Sequence, residues 1–252
     1  MVTFALDLGN TRVKFGRLED GTLAEVRAWP RVEEDAALAW LLRQPSGGYA
    51  LLSGRPDEAR WRRALSVVAP VWTYTPGDRL PVRLYYDTPT TLGTDRLAAV
   101  AGARALYPRT DVTVVSAGTC MTVEYLTAGG EYLGGSISPG LSMRLRAMHE
   151  FTGKLPRVPL VLPQGAPIGV STATALQQGA IRGAAHEIAG WFGAFTRHRA
   201  GAAASLDRGD GPRLVLCGGD AALLHPLCPP GAILREHLVL EGLAQLRQYA
   251  LA

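Results

Sequence analysis

The sequence predicts an α/β fold in two halves, and three observations carry the prediction. Short strand-like runs alternate with helical periods along the chain, the order expected of α/β proteins. A strand, a turn containing Gly and Thr, and a returning strand occur twice, around Gly9-Asn10-Thr11 and around Gly118-Thr119, a weak repeat of architecture rather than of letters. The chain has 252 residues, enough for one large domain or two small ones with buried cores. With 47% hydrophobic and 19% charged residues, it is neither a disordered nor a collagen-like chain.

Val2 to Leu8 alternates as a strand, Gly9-Asn10 turns it, and Arg12 to Leu18 returns as its hairpin partner, closing on Glu19-Asp20-Gly21. Glu33 to Leu42 reads as a helix stopped by Gln44-Pro45-Ser46-Gly47-Gly48. Tyr49 to Ser53 is a short apolar strand, Pro56 to Val68 a helix, and Val71 to Tyr74 a strand. Asp87-Thr88-Pro89 leads into an Ala-rich helix from Thr94 to Leu106. The second cycle starts near Asp111. Val112 to Val115 is a buried-type strand ending in Ser116-Ala117-Gly118-Thr119, Met121 to Leu126 returns, Ala128-Gly129-Gly130 turns, and Tyr132 to Ile137 follows. Leu141 to Phe151, Thr172 to Phe195 and Leu238 to Leu251 read as helices, and the polar, small-residue stretch His198 to Pro212 as a loop. Leu214 to Cys217 is another buried strand, running into Gly218-Gly219. The halves divide into domains 1–110 and 111–252.

The 26 basic and 22 acidic residues leave a net charge of +4, which favours anions such as nucleotides without the dense basic stripe of a nucleic-acid binder. The tightest basic group, Arg60, Arg62 and Arg63, reads as a solvated helix face, so no nucleic-acid partner is expected. Only Lys14 and Lys154 are lysines, which singles each of them out. Cys120, Cys217 and Cys228 are odd in number and outside zinc-ligand spacing, as for reduced thiols in a cytoplasm. Asp7 interrupts the first apolar run, which lacks a basic leader, and no apolar stretch approaches the ~20 residues of a membrane span. A soluble cytoplasmic protein with no membrane partner is expected. The five histidines show no metal spacing.

Three turns bear on chemistry. In Asp7-Leu8-Gly9-Asn10-Thr11 a strand delivers a carboxylate to a tight turn that exposes backbone N–H groups and a hydroxyl. Gly9 permits close backbone approach, Asn10 and Thr11 can donate to phosphate oxygens, and Asp7 is placed to hold a metal's hydration shell. Ser116-Ala117-Gly118-Thr119, with Thr122 beyond it, offers a second Gly-Thr turn for the other side of a polyphosphate. Cys217-Gly218-Gly219-Asp220 offers paired glycines against which a nucleobase or ribose can lie flat. Each taken alone is also an ordinary hairpin or strand-to-helix turn. The sequence has neither G-x-x-x-x-G-K-[ST] nor G-x-G-x-x-G. The order of the three turns resembles the actin-like ATPases, the architecture of acetate and sugar kinases and of actin.

Further segments make the resemblance specific. Lys14 and Gly16 follow the first turn, and Tyr86-Asp87-Thr88-Pro89 precedes Leu92-Gly93-Thr94-Asp95-Arg96. Gly134-Gly135-Ser136-Ile137-Ser138-Pro139-Gly140, Leu155-Pro156, Ser171-Thr172 with Gly179 and Gly183, Gly218-Gly219 and Leu240-Glu241-Gly242-Leu243 complete a set spanning nearly the whole chain. In this order they resemble the type III pantothenate kinases. The resemblance implies two ribonuclease H-like domains with a nucleotide cleft between them. It implies ATP-dependent phosphorylation of the 4′-hydroxyl of pantothenate, the first step of coenzyme A synthesis. It also implies a homodimer that builds the pantothenate pocket partly across its interface, with magnesium and a monovalent cation, potassium or ammonium, as ions. Asp95 is then the carboxylate that accepts or orients the proton of the attacking hydroxyl, a task suited to an acceptor-only group. Its other reading is a first-turn helix acid. Arg96 would hold the pantothenate carboxylate bidentately, or else serve as a surface ion-pair residue. Tyr86, Gly93, Thr94 and Thr172 match the pantothenate pocket, although Tyr86 also suits core packing and Thr172 a helix N-cap. Asp7 would bind magnesium through water. Gly9, Asn10, Thr11, Gly118 and Thr119 would cradle phosphates, with Lys14 neutralising their charge or simply solvated. Gly218 and Gly219 would lie under the adenosine.

The chain also departs from the family pattern. Ser116 stands where many members carry the Asp tied to the monovalent cation, and a neutral hydroxyl brings less charge to such an ion. Glu124 stands where Asp is usual and Cys120 where Ala is usual, the latter read as a buried, inert thiol. Two other functions stand beside the kinase reading. A non-catalytic accessory or regulatory member of the same family is opposed by the intact Asp7, Asp95 and Arg96. Another actin-like small-molecule kinase is opposed by the segment Leu92 to Arg96.

Overall fold

The computed structural model describes residues 2–44, 47–53, 58–202 and 211–252. Strands β1 (Val2–Leu8) and β2 (Arg12–Glu19) pair antiparallel from Val2↔Glu19 to Leu8↔Val13. Asp20 (φ 47°) and Gly21 (φ 83°) then form a two-residue turn into β3 (Thr22–Pro30). Positive φ at both central positions is the primed geometry whose twist suits a hairpin, and Asp-Gly tolerates it. Helix α1 (Glu34–Leu41) leads to β4 (Gly48–Ser53), then to α2 (Glu58–Leu65) and β5 (Val71–Thr73). The resulting five-stranded sheet has the order β3-β2-β1-β4-β5, with β4 and β5 parallel to β1.

Alternation along β1 and β2 decides what each face of this sheet meets. Phe4, Leu6 and Leu8, with Val13 and Phe15, face a core shared with Leu38, Leu41, Trp61 and Leu65 of α1 and α2. Ala5 and Asp7 point to the other face, opposite Gly16 and Lys14 of β2. There lie α3 (Thr94–Leu106) and the C-terminal helix α7 (Leu238–Ala250), and Leu240 comes so near Gly16 that an added Cβ would touch its Cδ1 at 3.2 Å. Helices α3 and α7 meet backbone to backbone. A Cβ on Gly242 would run into the carbonyl of Ala98, and one on Gly102 would stand 2.8 Å from Leu238 O.

Past the two-residue strand β6 (Arg83–Leu84) and α3, the second sheet is built from β7 (Val112–Ala117), β8 (Cys120–Leu126), β9 (Glu131–Pro139), β10 (Arg213–Cys217) and β11 (Ile233–Leu234). Its order is β11-β10-β7-β8-β9, with β6 paired to the first two residues of β9. Val115, Ala117, Met121, Val123, Leu214 and Leu216 bury one face against Ile181, Ala184 and Ile188 of the long helix α5 (Thr172–Ala202). Helices α4 (Leu141–Glu150) and α6 (Ala221–Leu224) complete this part.

The chain folds as two units that are not contiguous in sequence. The first holds the chain through Pro108, Gly130–Tyr132 and His237–Ala252, and the second holds Arg109–Gly129 and Leu133–Glu236. The expected domain 111–252 ran to the end of the chain, whereas the last helix packs with the first unit through its glycine contact on α3. Helix α5 also runs on through Ala202, so residues 198–202 of the expected loop are helical. Arg199 Nε, 2.9 Å from the buried Asp111 Oδ2, anchors that last stretch to the start of β7. The remainder of that loop from 203 to 210 lies outside the described residues, as do Pro45-Ser46 of the first stop signal and Pro56-Asp57 of the second helix. Among the described residues no helix is long and apolar enough to cross a membrane.

Candidate active site

In the first unit, β1 delivers Asp7 on the face that α3 covers. Lys14, its register partner on β2, places Nζ 3.9 Å from Asp7 Oδ2. Burial pushes the Asp7 carboxyl above its ordinary value, Lys14 pulls it down, and the charge of Asp95 pushes it up again. The two acids, 88 positions apart in the numbering from 7 to 95, therefore act on one another. The turn between β1 and β2 is tight, since a Cβ on Gly9 would lie 3.0 Å from Arg12 O. Asn10 and Thr11 stand exposed in that turn.

Helix α3 begins at Thr94, with Gly93 in the capping position and Asp95 in the first turn. The exposed carboxylate of Asp95 folds back over Gly93, where a Cβ would stand 2.5 Å from Oδ1. Arg96, next in the chain, is not the surface ion-pair residue of its alternative reading, being only 6% exposed. Its Nη1 donates to Tyr86 Oη at 3.1 Å, and its Cζ lies 5.5 Å from the centre of the Tyr86 ring. Tyr86 stacks in turn on Tyr132, 6.1 Å between centroids and 14° between planes. The structure thus pairs Asp7 with Lys14, within electrostatic reach of Asp95, and sets Arg96 beside Tyr86.

In the second unit, Gly118 and Thr119 form the turn between β7 and β8, with the Gly118 N–H bonded to Cys120 O at 3.0 Å. Gly140, at the start of α4, donates its N–H to Thr119 O at 3.1 Å, and any Cβ there would collide with the Gly118 carbonyl. Gly218 takes φ +95°, and a Cβ on it would overlap the Ala117 carbonyl, which also accepts the Asp220 N–H at 3.0 Å. Gly118-Thr119 and Gly218-Gly219 therefore abut at the carboxyl ends of the parallel strands β7 and β10, in register at Ser116↔Cys217. The carboxyl ends of strands are where open α/β sheets bind ligands. Neither Gly140 nor Tyr132 was assigned a role from the sequence: Gly140 stood out as the end of the Gly134–Gly140 segment ahead of a helical run, and a strand tyrosine carried no signal.

Three further placements bear on the expectations. Thr172 is the first residue of α5 and exposed, but the cap belongs to Ser171, whose Oγ accepts the Thr174 N–H at 3.2 Å while Thr174 Oγ1 accepts the Ser171 N–H at 3.0 Å. Cys120 is exposed rather than buried, because β8 begins with it at the turn. Ser116 pairs across β8 with Thr122, whose Oγ1 is buried without a hydrogen-bond partner, and the carboxylate of this strand pair is the fully buried Glu124.

The fold is that of the actin-like ATPases. Component A of (R)-2-hydroxyglutaryl-CoA dehydratase from Acidaminococcus fermentans superposes with a TM-score of 0.52 at 12% identity, covering 99% of each chain. A protein described as a Baf family transcriptional activator from Campylobacter jejuni reaches 0.60 at 19% identity over 98% of each. Within that class, residues 3–193 match the type III pantothenate kinase family. A type III pantothenate kinase of Porphyromonas gingivalis is 36% identical over 97% of both chains, and one of Flavobacterium johnsoniae 30% identical over 97% of this chain and 96% of its own. The chain belongs to the type III pantothenate kinase family.

Proposed function

We propose that this protein transfers the terminal phosphoryl group of ATP to the 4′-hydroxyl of pantothenate, the first step of coenzyme A synthesis. One observation carries the catalytic assignment: an exposed carboxylate, Asp95, folded over a glycine at the start of a helix and within electrostatic reach of a partly buried second carboxylate, Asp7. Phosphoryl transfer asks the protein chiefly for positioning and charge neutralisation. Asp95 accepts the proton of the attacking hydroxyl, and Arg96 holds the acceptor's carboxylate with its planar fork. Tyr86, Gly93, Thr94 and Thr172 line the acceptor site. Asn10, Thr11 and the Gly118-Thr119 turn are assigned to phosphate oxygens. Gly9 lets backbone approach them, Lys14 offsets their charge, and Gly218-Gly219 lies under the adenosine.

Asp7 suits a magnesium ion, which takes hard oxygen ligands and usually keeps its waters, bound through one or two carboxylates and the substrate's phosphates. Such an ion, held by Asp7 through water, would neutralise charge on the triphosphate. The residues at Ser116 suit a monovalent cation less well, because the strand end offers neutral hydroxyls from Ser116 and Thr122. A requirement for potassium or ammonium is therefore weak in this reading. The active form is a homodimer in the cytoplasm, with neither nucleic acid nor membrane as partner.

A coupled ADP-release assay tests the function, with pantothenate run beside acetate, glucose and no acceptor. Turnover with pantothenate alone is the expected result. Turnover with another acceptor marks a different kinase, and silence with all of them marks an accessory protein.

A further inference from the structure

An arginine fork discriminates a carboxylate more sharply when its plane is held, since the side chain otherwise spends rotamer freedom on binding. Arg96 has a support built for that purpose. Its Nη1 is tied to Tyr86 Oη at 3.1 Å and its guanidinium carbon sits 5.5 Å from the Tyr86 ring centre. Tyr86 is itself only half-buried and follows a strand of two residues, so it needs backing of its own. The backing is Tyr132, fully buried, with its ring within 14° of parallel to Tyr86. The backbone fixes the two in register. Arg83 and Leu84 pair with Glu131 and Tyr132, the Tyr85 N–H donates to Tyr132 O at 2.8 Å, and Arg83 Nη2 meets Glu131 Oε1 at 3.0 Å. The excursion Gly130–Tyr132 belongs to the first unit although its neighbours on both sides belong to the second.

We propose that Tyr132 is a positioning residue of the acceptor site. Its ring backs Tyr86, Tyr86 fixes the plane of the Arg96 guanidinium, and Arg96 so held selects an acceptor that bears a carboxylate. The proposal rests on the reading of Arg96 as the carboxylate's ligand. A tyrosine that merely filled the core would support activity on every acceptor equally. One that aims Arg96 supports the carboxylate-bearing acceptor alone.

The test is steady-state kinetics with two acceptors, pantothenate and pantothenol, in which a hydroxymethyl group replaces the carboxylate. Tyr132→Leu is expected to raise the KM for pantothenate by about tenfold, the scale of a weakened charge-assisted hydrogen bond, with the KM for ATP and the kinetics of pantothenol within about twofold of wild type. Tyr132→Phe keeps the ring and is expected to restore the preference for pantothenate. A Tyr132→Leu enzyme that keeps the wild-type ratio of kcat/KM for the two acceptors, or loses both in equal measure, overturns the proposal. Should that variant not fold, Tyr86→Leu removes the same ring stack from its half-exposed side and must lower the same ratio. Arg96→Gln separates the two levels of the argument. If it keeps the preference, Arg96 is not the carboxylate's ligand; if it loses the preference while Tyr132→Leu keeps it, only the role of Tyr132 falls.

Discussion

Asp95 occupies the space that a side chain on Gly93 would need, its Oδ1 standing 2.5 Å from where that Cβ would be. Gly93 has φ −59° and ψ 130°, angles open to any residue, so the glycine answers to the carboxylate and not to the backbone. The obstructing atom is the free end of a short side chain. Gly93→Ala is therefore expected to leave the fold intact and swing the Asp95 carboxylate aside, lowering kcat by about 100-fold, as for a displaced catalytic group. Circular dichroism and Tm should match wild type. Normal turnover in a folded Gly93→Ala enzyme would separate Asp95 from the chemistry.

Asp95→Asn tests the same group by charge instead of position. The amide fits the same space over Gly93 but cannot accept a proton. A loss of at least ~100-fold in kcat, with the KM for ATP little changed, is expected for a positioned base. A drop confined to KM would instead make Asp95 a binding residue.

Asp7 illustrates a functional group held at a cost to stability. Its carboxyl is raised above the ordinary value chiefly by burial, against the pull of Lys14 and with a further push from Asp95. A carboxyl raised in the folded state penalises folding wherever it is ionised. Stability therefore falls as pH rises through the raised value, and the penalty vanishes towards the ordinary carboxylate range. Asp7→Asn should abolish activity and yet raise Tm at pH 7, by about 2–4 °C for each kcal/mol of relief. The gain should shrink as pH is lowered. Calorimetry across pH checks both the sign and the trend, and a lowered Tm at pH 7 would contradict the account.

The parts of the molecule that were legible in the sequence are those whose signal is local. The hairpin around Gly9, the helix Thr94–Leu106 and the strand end at Gly118-Thr119 each carry their own periodicity and turn residues. Strand β3 was not expected, because it lies at the sheet edge with no fully buried residue and so lacks a clean alternation. The two-residue strands β6 and β11 are too short for any period to show. The home of α7 was hidden for a different reason: Gly242 and Gly102 meet across 140 positions of numbering, and no local pattern reports such a contact. The candidate residues were picked out in the sequence by type and turn position alone. The aiming of Arg96 by Tyr86 and Tyr132 was not, since it depends on a parallel pairing of Leu84 with Tyr132.

That long-range contact has its own consequence. A Cβ on Gly242 would meet the Ala98 carbonyl, which is backbone and cannot rotate away, so α7 must lift from α3 to admit one. Gly242→Ala is expected to cost about 1–3 kcal/mol as an overpacked contact, despite the higher helix propensity of alanine. Because α3 carries Asp95 and Arg96, kcat should fall as well, and by more than Tm alone explains. Urea unfolding with parallel kinetics measures both. A stabilised Gly242→Ala protein would mean that the two helices have room to spare.

Ser116 and Thr122 are register partners on β7 and β8, and Thr122 Oγ1 is buried with no protein partner. Neutral oxygens draw a monovalent cation only weakly, whereas a carboxylate at the same place adds a full charge to its ligand set. Activity in sodium is therefore expected to lie within about twofold of activity in potassium or ammonium at equal ionic strength, equal so that general screening cancels. Ser116→Asp supplies the charge and should make turnover rise steeply with added potassium. If the unaltered enzyme already depends steeply on potassium, its cation is held by other groups and the weak-site reading of Ser116 is wrong. If Ser116→Asp is folded and stays indifferent to potassium, the strand end does not face the ion at all.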